Sequence, residues 1–219
     1  MHAIYNLLTG VLIWVSVAVF LFGCIYTLVS RALMAKKKDG IVYSYFNFYY
    51  AVRSILHWVV PYAARNWRNH PFFTVVTFLF HICLLAMPLL LFAHIALFNE
   101  AWDVSWWFLP ETVADVATVI VILSCLFFLG RRLFLKDVRF LSSASDYALL
   151  ALVAAPYVTG LWAGQQWAGH DYVLLLHIFT GELLLALIPF TKLGHMIFFL
   201  FTRGYIGSEF GAVRHAKDW

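Results

Sequence analysis

Long apolar runs alternate with short polar segments along the whole chain. A run of about 20 apolar residues crosses a hydrocarbon core of about 30 Å, and five runs reach or approach that length. They are 4–30, 72–98, 113–133, 147–167 and 172–201. Because lipid offers no hydrogen bonds to an open backbone, each run must form a helix. The pattern predicts an all-α membrane protein, a five-transmembrane-helix bundle forming a single membrane domain over residues 1–219.

Composition agrees with this class. Of the 219 residues 63% are hydrophobic and only 12% are charged, about half the charged share of a soluble domain. We therefore expect membrane lipid around the chain and no nucleic acid. The first run lacks a basic region before it, which favours a retained helix over a cleaved signal. The three cysteines lack the spacing of zinc, iron–sulfur or covalent haem sites.

Basic residues give the predicted orientation. Fourteen of the 15 Lys and Arg residues lie in the segment 31–70, the connection 131–139 and the part after residue 201. Such residues concentrate on the cytoplasmic side of membrane proteins. We expect the N-terminus outside, the C-terminus in the cytoplasm, and the chain as a multi-pass protein of the cytoplasmic (inner) membrane.

The segment 36–70, between the first two predicted spans, is too polar to cross a membrane and unusually aromatic. Basic and aromatic residues together favour a position at the level of the lipid headgroups. We expect an interfacial cytoplasmic segment there. It either anchors the chain to lipid or receives a partner protein.

Four of the nine histidines fall inside predicted spans. His81 and His94 lie in the second span, and His177 and His195 in the fifth. Polar groups inside a membrane are costly and tend to mark function, and neutral imidazole is a common axial ligand of haem iron. The four residues predict two bis-histidine haem b sites, with hydrogen-bonded core histidines as the alternative.

Helix geometry indicates how the four would pair. His177 and His195 are 18 residues apart, which on one continuous helix is five turns and about 27 Å on a single face. His81 and His94 are about 20 Å apart and turned by roughly 140°. Antiparallel helices then pair His81 with His195 toward the cytoplasm, and His94 with His177 toward the outside. The offsets differ by about 7 Å, which a kink at Pro88 would reconcile.

Other residues near these positions have two interpretations each. Gly160 and Gly181 would admit a flat macrocycle or allow close helix packing. Glu182, buried in the fifth span, would contact a quinone or a proton path, or would be a carboxyl group bonded to a neighbouring helix. His70, which precedes Pro71, is the alternative to His94 as fourth ligand.

The fifth run contains LHIFTGELLLALIPFTKLGH, the second contains FHICLL, and RRLFLKDVR precedes Asp146. Over roughly residues 72 to 203 these motifs resemble the respiratory nitrate reductase gamma subunit family of dihaem cytochromes b. Within it, the chain length and HPFF motif are similar to the cytochrome-b-like subunits of high-molecular-weight cytochrome c complexes of sulfate reducers. The resemblance places His81, His94, His177 and His195 at the haem-ligand positions.

The resemblance implies an electron-transfer subunit of a respiratory oxidoreductase, not catalytic alone, that carries two haem b. Its implied partners are a cytoplasmic iron–sulfur subunit, other membrane subunits and a periplasmic multihaem cytochrome c. Menaquinone is a further candidate cofactor, although Ala114 stands where the nitrate reductase subunits have a quinol-site lysine. Two alternatives remain open. The chain could be a quinol-oxidising subunit with its own pocket, or a haem-free membrane anchor or transporter.

Overall fold

The computed structural model of the chain describes residues 2–219 and, at Val42, the backbone only. Its α-helices are α1 (His2–Leu7), α2 (Ile13–Lys38), α3 (Ile41–Ser44), α4 (Phe48–Val59), α5 (Arg65–Asn69), α6 (Pro71–Leu90), α7 (Phe92–Trp102), α8 (Glu111–Phe134), α9 (Lys136–Phe140), α10 (Ala144–Gly164), α11 (His170–Leu187) and α12 (His195–Ser208). Two π-helical segments, Leu8–Leu12 and Glu209–Val213, and two 3₁₀ turns, Ile188–Phe190 and Lys192–Gly194, complete the order. Residues 2–219 contain no β-strand, so the all-α prediction is confirmed.

Five helical stretches are long and apolar enough to cross a membrane, as the hydropathy pattern predicts. They are His2–Lys38, Pro71–Trp102, Glu111–Phe134, Ala144–Gly164 and His170–Phe190. The first extends beyond the predicted 4–30 at both ends, whereas the last stops well short of the predicted residue 201. Most large apolar side chains on these stretches face outward, which suits a lipid environment.

The chain divides into two compact units. Unit 1 comprises the residues up to Thr9 together with Val76–Gly181, and unit 2 comprises Gly10–Val75 together with Glu182–Trp219.

In unit 1, α8 packs against α10 through a stripe of small and apolar residues. The buried positions of α8 recur every three or four residues, which places them on one helix face: Ala114, Ala117, Val121, Ser124 and Cys125. At the connection through α9, Asp146 Oδ2 accepts the Ser143 backbone N–H at 2.9 Å. Asp146 also lies 4.0 Å from the Arg132 guanidinium. A helix-capping hydrogen bond and an ion pair therefore stabilise the connection 131–146.

The second span is interrupted in unit 1, near the proline that the sequence marks as a kink. Leu91 is extended, with φ −80° and ψ 129°, so α6 ends at Leu90 and α7 begins at Phe92. Pro88 has no N–H to donate to the carbonyl of Leu84. The Tyr157 hydroxyl donates to that carbonyl instead, at 2.6 Å.

The fifth predicted span, 172–201, is wrong as a single helix. In unit 2 the chain passes through two 3₁₀ turns between Ile188 and Gly194, with Thr191 extended at φ −121° and ψ −178°. Pro189 cannot donate to the carbonyl of Leu185, which favours an interruption at this point. Gly23 of α2 packs on the break, since an added Cβ there would lie 2.7 Å from Pro189 Cγ. The five-turn, same-face spacing expected on a continuous helix therefore does not hold.

The predicted interfacial segment 36–70 contains the end of α2 and the helices α3, α4 and α5. In unit 2, α4 packs tightly against α12 and the π-helical segment after it. An added Cβ at Gly207 would lie 2.3 Å from Ser54 Cβ, and one at Gly211 would lie 2.2 Å from the ring of Tyr50. Glycine at both positions lets the two backbones approach closely.

Arginines of unit 2 lie over aromatic rings. Guanidinium carbons lie 3.7 Å from the Phe198 centroid for Arg31 and 3.7 Å from the Trp58 centroid for Arg203. Arg53 lies 4.6 Å from the centroid of Tyr50. Stacking of this kind holds charged heads on apolar surface through cation–π attraction. Basic and aromatic residues of unit 2 thus pair within the protein itself.

We predict that Gly207→Ala destabilises unit 2 by about 1–3 kcal/mol, because the added methyl overlaps Ser54 in a packed seam. Thermal unfolding in detergent or nanodiscs measures the loss. Gly130→Ala is the matched control, since its nearest contact would be an ordinary 3.9 Å to Phe134. Equal unfolding temperatures for the two variants would contradict the proposed close packing.

Candidate functional site

The four candidate histidines lie on three helices of unit 1 and one helix of unit 2. His81 is in the middle of α6, His94 is the third residue of α7, and His177 is in α11. These three belong to unit 1, whereas His195, the first residue of α12, belongs to unit 2. Two of the four therefore follow directly after an interruption of their span.

His94 and His177 lie close together in unit 1, as the sequence pairing predicts. Their ring centroids are 6.0 Å apart and the ring planes differ by only 6°. Two imidazoles that coordinate one metal ion from opposite sides, with bonds of about 2 Å, have ring centres roughly 6 Å apart. The pair thus has the spacing of a bis-histidine metal site.

The protonation pattern of His177 follows from its hydrogen bond. Its Nδ1 lies 2.8 Å from the backbone carbonyl of Pro156, and a carbonyl can only accept. Nδ1 therefore carries the proton, and the lone pair is on Nε2, the form that binds a metal ion. A backbone carbonyl that holds the second nitrogen in this way is typical of ligating histidines.

Gly160 makes the position of the His177 ring possible. A Cβ at residue 160 would lie 2.8 Å from His177 Cε1 and 3.0 Å from Nδ1. The role of Gly160 is therefore the close approach of the imidazole, rather than of a macrocycle or of a second backbone. Gly181, one turn after His177, has no atom within 4 Å of an added Cβ, so this side of α11 has open space for a flat group.

The imidazole of His94 is oriented by the break that precedes it. The backbone of Met87 and Pro88, near the end of α6, lies beside the His94 imidazole, and the Met87 carbonyl still accepts the Leu91 N–H at 3.2 Å. The 13-residue spacing from His81 therefore spans two helices rather than one. The roughly 140° rotation between His81 and His94, which is expected for a continuous helix, therefore does not apply.

His81 and His195 each have the same kind of backbone bond. His81 Nδ1 lies 2.7 Å from the carbonyl of Thr77, and His195 Nδ1 lies 2.8 Å from that of Lys192. In both, Nε2 carries the lone pair. Because His81 belongs to unit 1 and His195 to unit 2, their pairing stays a prediction.

Two further histidines have contacts within their own surroundings. His57 stacks on Trp219 with centroids 3.9 Å apart, and His170 lies 3.0 Å from Asp171. His70, the alternative fourth ligand, is exposed beyond the end of α5, and its carbonyl accepts the Thr74 hydroxyl. Within unit 1, His94 is the residue placed against His177.

Glu182 is a buried carboxyl group that the histidine pair does not use. Its side chain is only 5% exposed, and neither carboxylate oxygen has a hydrogen-bond partner in the described part of the chain. An acid buried without a partner is costly and points to function.

Sequence reasoning named the candidate histidines but missed the residues that position them. Pro156 and Tyr157 read as ordinary members of an apolar run, yet one carbonyl orients His177 and one hydroxyl bonds Leu84. The signal that could have found Tyr157 is Pro88, which removes the helical donor of the Leu84 carbonyl and leaves that carbonyl to another group. No sequence signal marks the Pro156 carbonyl, because a proline frees the carbonyl four residues before it and not its own.

Comparison with known proteins identifies a relative of this chain, but the name of that relative states no function. The chain is 38% identical over 218 residues to an uncharacterised protein of Nitratidesulfovibrio vulgaris (strain Hildenborough), covering 96% of this chain and 95% of that protein. The sequence matches no model of a protein family.

We predict that Gly160→Ala displaces the His177 imidazole and lowers the amount of haem bound per chain. The pyridine haemochrome assay on purified protein measures this. Gly164→Ala, one turn later on α10, is the control, because an added Cβ there meets nothing within 4 Å. Haem content that is the same in both variants would contradict the role assigned to Gly160.

Proposed function

This chain belongs to the same family as the Nitratidesulfovibrio vulgaris protein, and we propose that it is a dihaem b-type membrane subunit of a respiratory oxidoreductase complex. It passes electrons across the membrane between a quinone or periplasmic cytochrome side and a cytoplasmic iron–sulfur subunit. It supplies the electron path and leaves substrate chemistry to its partners.

One observation carries the proposal: two parallel imidazoles, His94 and His177, with centroids 6.0 Å apart between apolar helices. The spacing is that expected of two axial ligands of one metal ion, and imidazole is a usual axial ligand of haem iron. Core histidines that merely satisfy one another would approach to hydrogen-bonding distance. The motif resemblance of the fifth run to dihaem cytochromes b supports the same reading.

The residues of the chain have distinct roles toward the haem. The Pro156 carbonyl fixes the tautomer of His177, and Gly160 leaves room for its ring. The apolar helix surfaces around the pair exclude water and lower the local dielectric. The haem iron, when bound, supplies one-electron oxidation and reduction.

The second haem is assigned to His81 and His195, whose Nδ1 atoms both lie against backbone carbonyls. With the predicted orientation, this pair lies toward the cytoplasm and the His94–His177 pair toward the outside. The basic segment 36–70 and α12 would then face the iron–sulfur partner, where charge complementarity favours specific and fast association. Other membrane subunits and a periplasmic multihaem cytochrome c complete the proposed complex.

We predict two haems b per chain in the purified protein, one of which is lost in His177→Ala and in His94→Ala. Reduced-minus-oxidised spectra and the pyridine haemochrome assay count them. His170→Ala is the matched control, because that imidazole pairs only locally with Asp171. Wild-type protein without haem after expression with its partner subunits would leave the haem-free anchor as the function.

A second candidate, a quinol-oxidising subunit with its own pocket, is favoured by Glu182. Both of its carboxylate oxygens lack a partner among the described residues, although the side chain is 95% shielded from solvent. When it is ionised, a carboxyl group in that position can accept a proton from a quinol, and general-base catalysis contributes about 10²–10⁴-fold to such steps. Menaquinone is the proposed substrate. Ala114 in the lysine position means that the pocket differs from that of the nitrate reductase subunits.

We predict that Glu182→Gln slows haem reduction by a menaquinol analogue at least tenfold while haem content stays unchanged, because the amide cannot take up a proton. Stopped-flow absorbance gives the rate. Glu209→Gln, which alters a carboxylate paired with Arg214 in unit 2, is the control. A wild-type rate in Glu182→Gln would reject a quinol pocket at this residue.

A further inference from the structure

The interruption at Leu91 leaves the last carbonyls of α6 without their helical donors. In a continuous helix the carbonyls of Leu89 and Leu90 would accept the N–H groups four residues on. Here Leu91 is extended, and those N–H groups belong to α7. Apolar surroundings offer no water to replace the missing bonds, so each carbonyl needs another donor.

Both donors come from the loop between α7 and α8, residues 103–110. The Trp106 indole N–H donates to the Leu89 carbonyl at 2.7 Å, and the Leu109 backbone N–H donates to the Leu90 carbonyl at 2.9 Å. Asp103, in the left-handed region at φ 54°, ends α7 and turns the chain back toward α6.

The same loop also packs on the helix beyond the break. The ring of Trp106 lies 5.3 Å from that of Phe98, and the ring of Phe108 lies 5.0 Å from that of Phe92, both centroid to centroid. Phe98 is one turn after His94 on α7, and Phe92 is two residues before it. The loop thus contacts α6 through hydrogen bonds and α7 through aromatic rings, and in this way it connects the two helices across the interruption.

We propose that Trp106 is a positioning residue for His94. Its indole bonds the end of α6 while its ring packs against α7, and this fixes where α7 restarts and where the His94 imidazole faces His177. The residue acts through the backbone and touches neither imidazole. This inference rests on the proposed function only for the measurements that are made on a bound haem.

The adjacent Trp107 separates this role from ordinary membrane anchoring. Tryptophans are enriched at membrane interfaces for reasons that need no specific bond. Trp107 is 66% exposed and donates no hydrogen bond in the described part of the chain, whereas Trp106 is 37% exposed and bonds Leu89. The two neighbouring tryptophans therefore differ in the indole hydrogen bond to α6, which is the feature that the proposal requires.

The test compares Trp106→Phe, which keeps an aromatic ring but removes the N–H, with Trp107→Phe. We expect Trp106→Phe to shift the midpoint potential and the low-spin electron paramagnetic resonance signal of one haem and to leave the other haem unchanged. Trp107→Phe should leave both as in the wild type. Trp106→His, which restores a ring N–H donor, should move both signals part of the way back.

A second readout needs no haem. Hydrogen–deuterium exchange of the full chain in nanodiscs should show faster exchange at residues 92–95 in Trp106→Phe and unchanged exchange in Trp107→Phe. If the wild type carries no haem, the proposed function fails, but this measurement still decides the role of Trp106. Wild-type exchange at 92–95 in Trp106→Phe, or equal changes in both variants, would overturn the proposal.

Discussion

Every backbone carbonyl in an apolar layer needs a donor, and three prolines in this chain remove donors from helices. Pro88 and Pro156 lie inside α6 and α10, and Pro189 lies where α11 gives way to 3₁₀ turns. Lipid cannot satisfy the carbonyls that such residues free. Within the described residues, the Leu84 carbonyl that Pro88 leaves free accepts the Tyr157 hydroxyl, and at the break after α6 an indole and a backbone N–H bond the carbonyls of Leu89 and Leu90.

The proposed electron-transfer site is built from the same requirement. A backbone carbonyl orients each imidazole without a charge, so a ligand can be held in a low-dielectric layer without burying a carboxylate beside it. The Pro156 carbonyl fixes the His177 tautomer, while α10 continues through Pro156 to Gly164. The histidines of the pair need no acidic partner, which leaves Glu182 as a separate group with its own chemistry.

Unit 2 has a different feature, which is the placement of basic residues on an apolar surface. Its arginines lie over Phe198, Trp58 and Tyr50, and its glycines draw α4 against α12. Cation–π contacts keep guanidinium groups near aromatic rings without removing their charge.

The sequence by itself determined the class and the five helical stretches, because hydropathy is a local property that single residues report. It also named His94 and His177 as a pair, and the structure places their ring centroids 6.0 Å apart. The sequence also marked Pro88 as the place where a spacing of 13 residues had to be adjusted. Only the tertiary structure decided that His195 starts a new helix, so the five-turn argument that linked it to His177 does not apply. It also decided that Gly160 serves an imidazole and that Trp106 bridges a break. Those roles depend on residues 17 and more positions apart meeting in space, and no pattern along one helix records such contacts.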